Sequence, residues 1–144
     1  GGAWCRALVR VGLADWGPIN AVVRVAPPRD LARMFRATDV VDAAHGHAVE
    51  QGKVLTGGLG VHHAIECIGL KQTIEDGFAM LSKGGVVTIV GVARYDARIE
   101  LSPAAFLQEK RVQGSMMGGV RNPIDIPRLV ELYMQGQLKL DERI

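Results

Sequence analysis

The apolar residues of this chain change period along its length, and each change marks an element. Between Val61 and Val92 the pattern reads strand, helix, strand. The run Val61-His62-His63-Ala64-Ile65-Glu66-Cys67 predicts a short strand that Ile68-Gly69 ends. Residues 73–81 place Ile74, Phe78 and Leu81 at helical spacing, and Lys83-Gly84-Gly85 offers the basic residue and left-handed glycine that close a helix. The next seven residues, Val86 to Val92, are rich in β-branched side chains and do not alternate in polarity. That composition suits a strand buried on both faces of a parallel sheet. A connection of about 18 residues containing a helix joins the two strands, as a right-handed crossover requires. Glycines end both strands, Gly69 and Gly91, on the edge of an open α/β sheet where ligands bind. A missing Cβ there lets a flat ligand approach the backbone.

The flanking segments continue the alternation. Ala3, Ala7, Leu8, Val11 and Leu13 follow Gly1-Gly2 at helical spacing, and Trp16-Gly17-Pro18 ends that helix. Residues 19–25 predict a β-branched strand. Pro27-Pro28 opens a helix over 31–35, and Val40-Val41 is a short strand. A helix over 47–55 follows, weakened by Gly52, and then a glycine turn over 56–60. Beyond Val92, residues 98–101 alternate as an edge strand would. A helix over 102–109, a strand over 111–114 and a last helix from Pro127 to Gln135 complete the pattern. Strand and helix alternate throughout, so the expected fold is a doubly wound, mostly parallel α/β sheet in one domain spanning 1–144.

Composition narrows the function classes. With 144 residues, of which 48% are hydrophobic and 22% charged, the chain can bury a core. The formal net charge is +2 and the arginines are scattered, so neither a nucleic-acid stripe nor a polybasic membrane patch is present. No apolar run approaches the roughly 20 residues of a membrane span. Two cysteines, Cys5 and Cys67, make no disulfide framework, and a reducing, cytoplasmic setting is expected. The chain opens on Gly-Gly without Met or a leader pattern, which predicts that the protein begins upstream.

Candidate chemistry is sparse. The glycines at 57, 58 and 60 follow a helix and precede a strand, the reverse of the order that offers helix amides to a phosphate. Gly1-Gly2 has the right context, since a helix follows. His45, His47, His62 and His63 lack metal-ligand spacing, because the first two lie in a loop and the second pair alternates across a strand. Glu66 and Cys67 stand at a strand's carboxyl end, where an inert buried thiol and a carboxylate near a ribose are the expected roles. Met116-Met117, between Gly114 and Gly118-Gly119, reads as a loop packed on something flat.

Several stretches resemble the cofactor domain of the zinc-containing alcohol dehydrogenases, within the medium-chain dehydrogenase/reductase family. They are Ala37-Thr38-Asp39-Val40-Val41-Asp42, Leu55-Thr56-Gly57-Gly58, Ile65-Glu66-Cys67-Ile68-Gly69, residues 84–92 and Gly114-Ser115-Met116-Met117-Gly118-Gly119, all in the family's order. Five ordered matches over about four fifths of the chain are more specific than any lone glycine motif. The resemblance implies a Rossmann-like fold and a hydride-transferring oxidoreductase that uses a nicotinamide cofactor on alcohols and aldehydes.

By position, Val90, Gly91 and Val92 resemble the family's nicotinamide and ribose segment. Ser115, Met116 and Met117 resemble the segment whose backbone meets the carboxamide, and Ile68 and Gly69 the adenosine-side wall. Gly1, Gly2 and Ala3 fall on the family's glycine-rich turn, with Trp4 in place of its last glycine. Val23 stands where an acid would hold the ribose of NAD, and the neighbouring Arg24 suits a 2′-phosphate and hence NADP. NAD is the family's usual cofactor, and weak binding is expected from these departures. The resemblance places zinc ligands, proton relay and substrate pocket in a catalytic domain N-terminal to this segment, so no catalytic or metal residue is assigned here. It also places the central strand of the order 3-2-1-4-5-6 before Gly1, leaving a truncated sheet with its middle member missing. Homodimerisation through 97–101 is implied as well. The rival reading is a non-catalytic or vestigial nucleotide-binding and dimerisation module. A methyltransferase-like domain is a third, but it calls for a glycine loop after the first strand and an acid after the second.

Overall fold

A computed structural model describes residues 17–23, 37–43, 46–138 and 140. The expected helices over 1–13 and 31–35, and with them Gly1, Gly2, Ala3, Trp4, Cys5, Arg24 and His45, lie outside the described residues. Five strands and four helices are described: β1 (Asn20–Val23), β2 (Asp39–Asp42), α1 (Ala48–Leu55), β3 (Val61–Glu66), α2 (Lys71–Ala79), β4 (Leu81–Ile89), α3 (Pro103–Phe106), β5 (Arg111–Gly114) and α4 (Asn122–Met134).

All the described strand pairs are parallel. β1 pairs with β2 from Asn20 opposite Asp39 to Val23 opposite Asp42. β3, β4 and β5 form a second sheet in that order. β1 and β3 are not paired with each other, so among the described residues the strands fall into two sheets rather than one. This is the arrangement expected of an order 3-2-1-4-5-6 whose central member is not among the described strands. The strands on either side of that break keep apolar side chains in solvent, Val22 of β1 at 36% and Ile65 of β3 at 39% exposure. Oδ1 of Asn20, at the start of β1, is buried without a hydrogen-bond partner among the described residues.

The core follows from the β-branched run. Val86 and Val87 are neighbours on β4 and therefore face opposite sides of the sheet, yet both are buried. Val87 packs with Phe78 of α2 and Leu81, with Leu101, Ala105 and Val112 around them. Phe78 also lies against Phe106 at 5.0 Å between ring centroids, and Lys110 Nζ sits 5.8 Å from the Phe78 centroid. Burying one such aromatic ring contributes about 1.5–3 kcal/mol, so this cluster fixes α2 and α3 on the sheet. A second cluster joins β2 to α1 and Met80 through Val41 and Ala48. A third brings Leu129, Leu132 and Tyr133 of α4 back against Ala21, Ala37 and Leu138.

Several boundaries differ from the sequence reading, among them the end of β4 at Ile89 instead of Val92. α2 ends at Ala79, and Leu81 already belongs to β4. The Lys83-Gly84-Gly85 stretch is therefore an irregularity within β4, where Leu81 and Val86 are five positions apart while Val61 and His63 opposite are two apart. α3 stops at Phe106 rather than near Glu109, and Glu109 turns the chain with φ 59°. α4 begins at Asn122, five residues before Pro127. Pro123 occupies its first turn, and the Asp125 carboxylate accepts the Arg121 N–H at 2.8 Å. Residues 97–101 form no ladder among the described residues; the Glu100 N–H instead donates to the Glu75 carboxylate at 2.7 Å.

Candidate functional site

The carboxyl ends of β3, β4 and β5 are level with one another, because Glu66 stands opposite Ile89 and Ile89 opposite Gly114. The chain leaves each strand at the same edge, which brings Ile68-Gly69, Val90-Gly91-Val92 and Ser115-Met116 together. Backbone bonds tie these exits. Val90 and Gly91 N–H donate to the Glu66 carbonyl at 2.8 and 3.0 Å, and Ser115 N–H donates to the Ile89 carbonyl at 2.9 Å. The convergence of Gly69, Gly91 and the loop after Gly114 on one edge is thus as expected.

The reason for the two glycines is different from the expected one. A Cβ on Gly91 would collide with Gly69 N and lie 2.6 Å from Ile68 C, and a Cβ on Gly69 would lie 2.5 Å from the Val92 carbonyl group. Gly69 also has φ +85°, a conformation that side chains disfavour. The glycines therefore let two turns interlock backbone on backbone, and the space that a Cβ would fill is occupied by the chain itself. An apolar rim lies around this knot: Ile68 at 48%, Val90 at 38%, Val92 at 94% and Met116 at 85% exposure. An open apolar edge beside close-packed backbone fits the flat rings of a dinucleotide. Met117 contributes backbone to a 3-10 turn over Met117–Gly119.

Glu66 holds this knot, a role the sequence reading missed. Its residue is 6% exposed. Oε1 accepts the N–H groups of Ile68 and Gly69 and the Thr73 hydroxyl, each at 2.8 Å, and Oε2 lies 3.1 Å from Gly69 N. The signal was present as a carboxylate two and three residues before two turn amides, a spacing at which the side chain can fold back on its own turn. A carboxylate committed to these donors is not presented to a ribose. Cys67 is half-buried, and its thiol is pushed up to about 11, first by burial and then by the neighbouring Glu66 charge. It stays a thiol at neutral pH and is a poor nucleophile.

The other sequence candidates separate from this edge. Val23 ends β1 with its side chain 7% exposed, packed inside rather than offered to a ligand. Gly57 and Gly58 stop α1: Gly57 N–H reaches the Val54 carbonyl at 3.1 Å and Gly58 N–H the Lys53 carbonyl at 2.8 Å, the crossed pair that closes a helix on a left-handed residue. Among the described residues no three of His, Cys, Asp and Glu stand close enough together to hold a metal ion. A shallow cavity of about 320 Å³ lies between α2 and residues 100–105, with Phe78, Leu101 and Lys110 in its walls, and shares no lining residue with the glycine edge.

The family model described as zinc-binding dehydrogenase matches residues 13–135, most of the chain. The chain belongs to the zinc-binding dehydrogenase family. Alcohol dehydrogenase 1 of Trifolium repens is 32% identical over 117 residues, which are 80% of this chain and 31% of that protein. Benzyl alcohol dehydrogenase from Acinetobacter calcoaceticus superposes with a TM-score of 0.87 at 28% identity, covering 94% of this chain and 38% of that one. A zinc-binding dehydrogenase from Sinorhizobium meliloti 1021, solved bound to NADP, superposes with a TM-score of 0.82 at 31% identity over 94% of this chain and 39% of its own. The chain thus spans about a third of the length of the zinc-binding dehydrogenases it matches. The α/β fold with parallel sheets is theirs. Among the described residues no helix is long and apolar enough to cross a membrane.

Proposed function

We propose that this chain is the nicotinamide-cofactor-binding part of a zinc-type alcohol dehydrogenase that moves a hydride between an alcohol or aldehyde and NAD(P). The observation that carries this reading is the interlocking of the Ile68-Gly69 and Gly91-Val92 turns beneath an open apolar rim, at the carboxyl edge of a parallel sheet. A nicotinamide cofactor, when bound, supplies the hydride chemistry. The residues here bind and orient it. Ile68 and Gly69 form the adenosine-side wall, Val90, Gly91 and Val92 line the nicotinamide and its ribose, and the backbone of Ser115 to Met117 meets the carboxamide. Gly1, Gly2 and Ala3 belong to the diphosphate turn and Arg24 to the ribose end, where the buried Val23 stands in place of an acid and makes no contact of its own. Zinc and the proton relay have no residue assigned in this chain, and the reading favours a reducing, cytoplasmic setting. The relatives favour the dehydrogenase over the vestigial module.

Calorimetric titration of the full-length protein with NAD and NADP tests the reading. Val23 stands where the family has an acid and Trp4 where it has a glycine, so NAD should bind with a Kd between about 1 μM and 1 mM, equivalent to roughly 8 to 4 kcal/mol. If NADP binds in preference, Arg24→Ala should remove the preference. Heat of tight, stoichiometric NAD binding would refute the weak-site account, and no heat with either cofactor would refute the function.

The same reading includes a homodimer joined along 97–101. The Glu100 N–H is already taken by Glu75 on its own chain; successive amides of an extended segment point to opposite edges, so the reading gives the Ile99 N–H to the dimer joint. A second copy running antiparallel about a two-fold axis would meet it there.

A further inference from the structure

We infer that Glu66 is a positioning residue for the cofactor: its buried carboxylate fixes the Ile68-Gly69 turn against Gly91-Val92 and so sets the wall on which the dinucleotide lies, without touching it. The inference rests on the proposed cofactor function for its consequence, while the local geometry stands independently. Four contacts converge on the carboxylate from one short stretch, namely the Ile68 and Gly69 amides, the latter to both oxygens, and the Thr73 hydroxyl from the first turn of α2. The Glu66 carbonyl takes the Val90 and Gly91 amides on its other side. One residue thus holds both turns by its two ends, side chain to 68–73 and main chain to 90–91.

A carboxylate suits this place because every partner is a donor. An ionised carboxyl group only accepts, and its bonds to amides are stronger than those of a neutral acceptor. An isosteric amide cannot reproduce the set, since its NH₂ would face the Gly69 N–H donor to donor. The turn would then move away from that clash. It cannot move toward the turn that follows β4, because Gly69 already lies against the Val92 carbonyl there. The displacement is therefore outward, into the space assigned to the cofactor.

Glu66→Gln in the full-length protein tests this, with Leu81→Val as a core control: Leu81 is 2% exposed at the far end of β4 and has no part in the crevice. Thr73→Val removes one donor with little change of shape and serves if Glu66→Gln does not fold. Cofactor affinity is read by fluorescence titration with NADH and NADPH, and amide hydrogen exchange is read without cofactor. Glu66→Gln should weaken the better cofactor by about tenfold, the scale of one lost charge-assisted bond, and Thr73→Val should do so less. Leu81→Val should leave the affinity unchanged at temperatures where every variant is folded. Exchange should quicken at Ile68, Gly69, Val90 and Gly91 in the Glu66 and Thr73 variants and not in the control. Affinity that follows melting temperature across all three variants would overturn the positioning role. If the unsubstituted protein binds neither cofactor, the function proposed above fails, and exchange alone decides whether Glu66 holds the turns: unchanged protection at 68–69 and 90–91 overturns that too.

Discussion

Gly91→Ala should be the most damaging small substitution at the crevice. The added methyl has no direction in which to give, because what it meets is Gly69 N and the Ile68 backbone rather than the end of a flexible side chain. Overpacking of this kind costs about 1–3 kcal/mol, and for a domain of this size that lowers the melting temperature by about 3–12 °C. The larger consequence is local. Parting the two turns breaks the Val90 and Gly91 bonds to the Glu66 carbonyl, and cofactor affinity should fall by more than about tenfold, or 1.4 kcal/mol. Equilibrium urea unfolding and cofactor titration on the same preparation separate the two effects. Unchanged affinity in Gly91→Ala would show that the interlocked turns do not shape the binding wall.

Ile99→Pro should abolish the proposed dimer. Proline removes the amide that alternation directs toward the second copy, and its ring distorts an edge that must lie flat against its symmetry mate. The neighbouring anchors confine the damage to that edge. Leu101 remains packed with Phe78 and Val87, and the Glu100 amide keeps its bond to Glu75. The Glu75 carboxylate is itself held ionised below its ordinary range, first by Lys71, whose ammonium donates to it at 2.6 Å, and then by the Glu100 amide. Sedimentation equilibrium should therefore show a dimer for the full-length protein and a folded monomer for the variant. Equal dimerisation of both would rule out residues 97–101 as the joint.

What was legible in the sequence was legible for physical reasons, and the same reasons explain the failures. The run from Val86 to Ile89 could be read because β-branched residues without alternation suit few settings other than a doubly covered strand. Its start was misplaced because Lys83-Gly84-Gly85 has the composition of a helix cap, while Gly84 in fact spends its left-handed conformation, φ 72°, inside an irregular strand. Pro127 has the composition of a first-turn residue, but it lies inside α4, whose first turn is occupied by Pro123. The glycines of this edge were expected for a different reason: a spacing shows that a side chain is missing, not what fills its place. Only coordinates could show Gly91 facing Ile68 and Gly69. Glu66 was missed in its holding role because its partners are mostly main-chain amides, which every sequence contains and none advertises.

Amide hydrogen exchange of the full-length protein with and without NAD or NADP, at concentrations above the calorimetric Kd, tests the central claim most directly. The account predicts added protection at 68–70, 90–93 and 115–117, the three strand exits that meet at one edge, and none at the helix-stopping turn over 56–60. Protection at that glycine turn in place of the strand exits, or no change at 68–70 and 90–93 with cofactor bound, would contradict it.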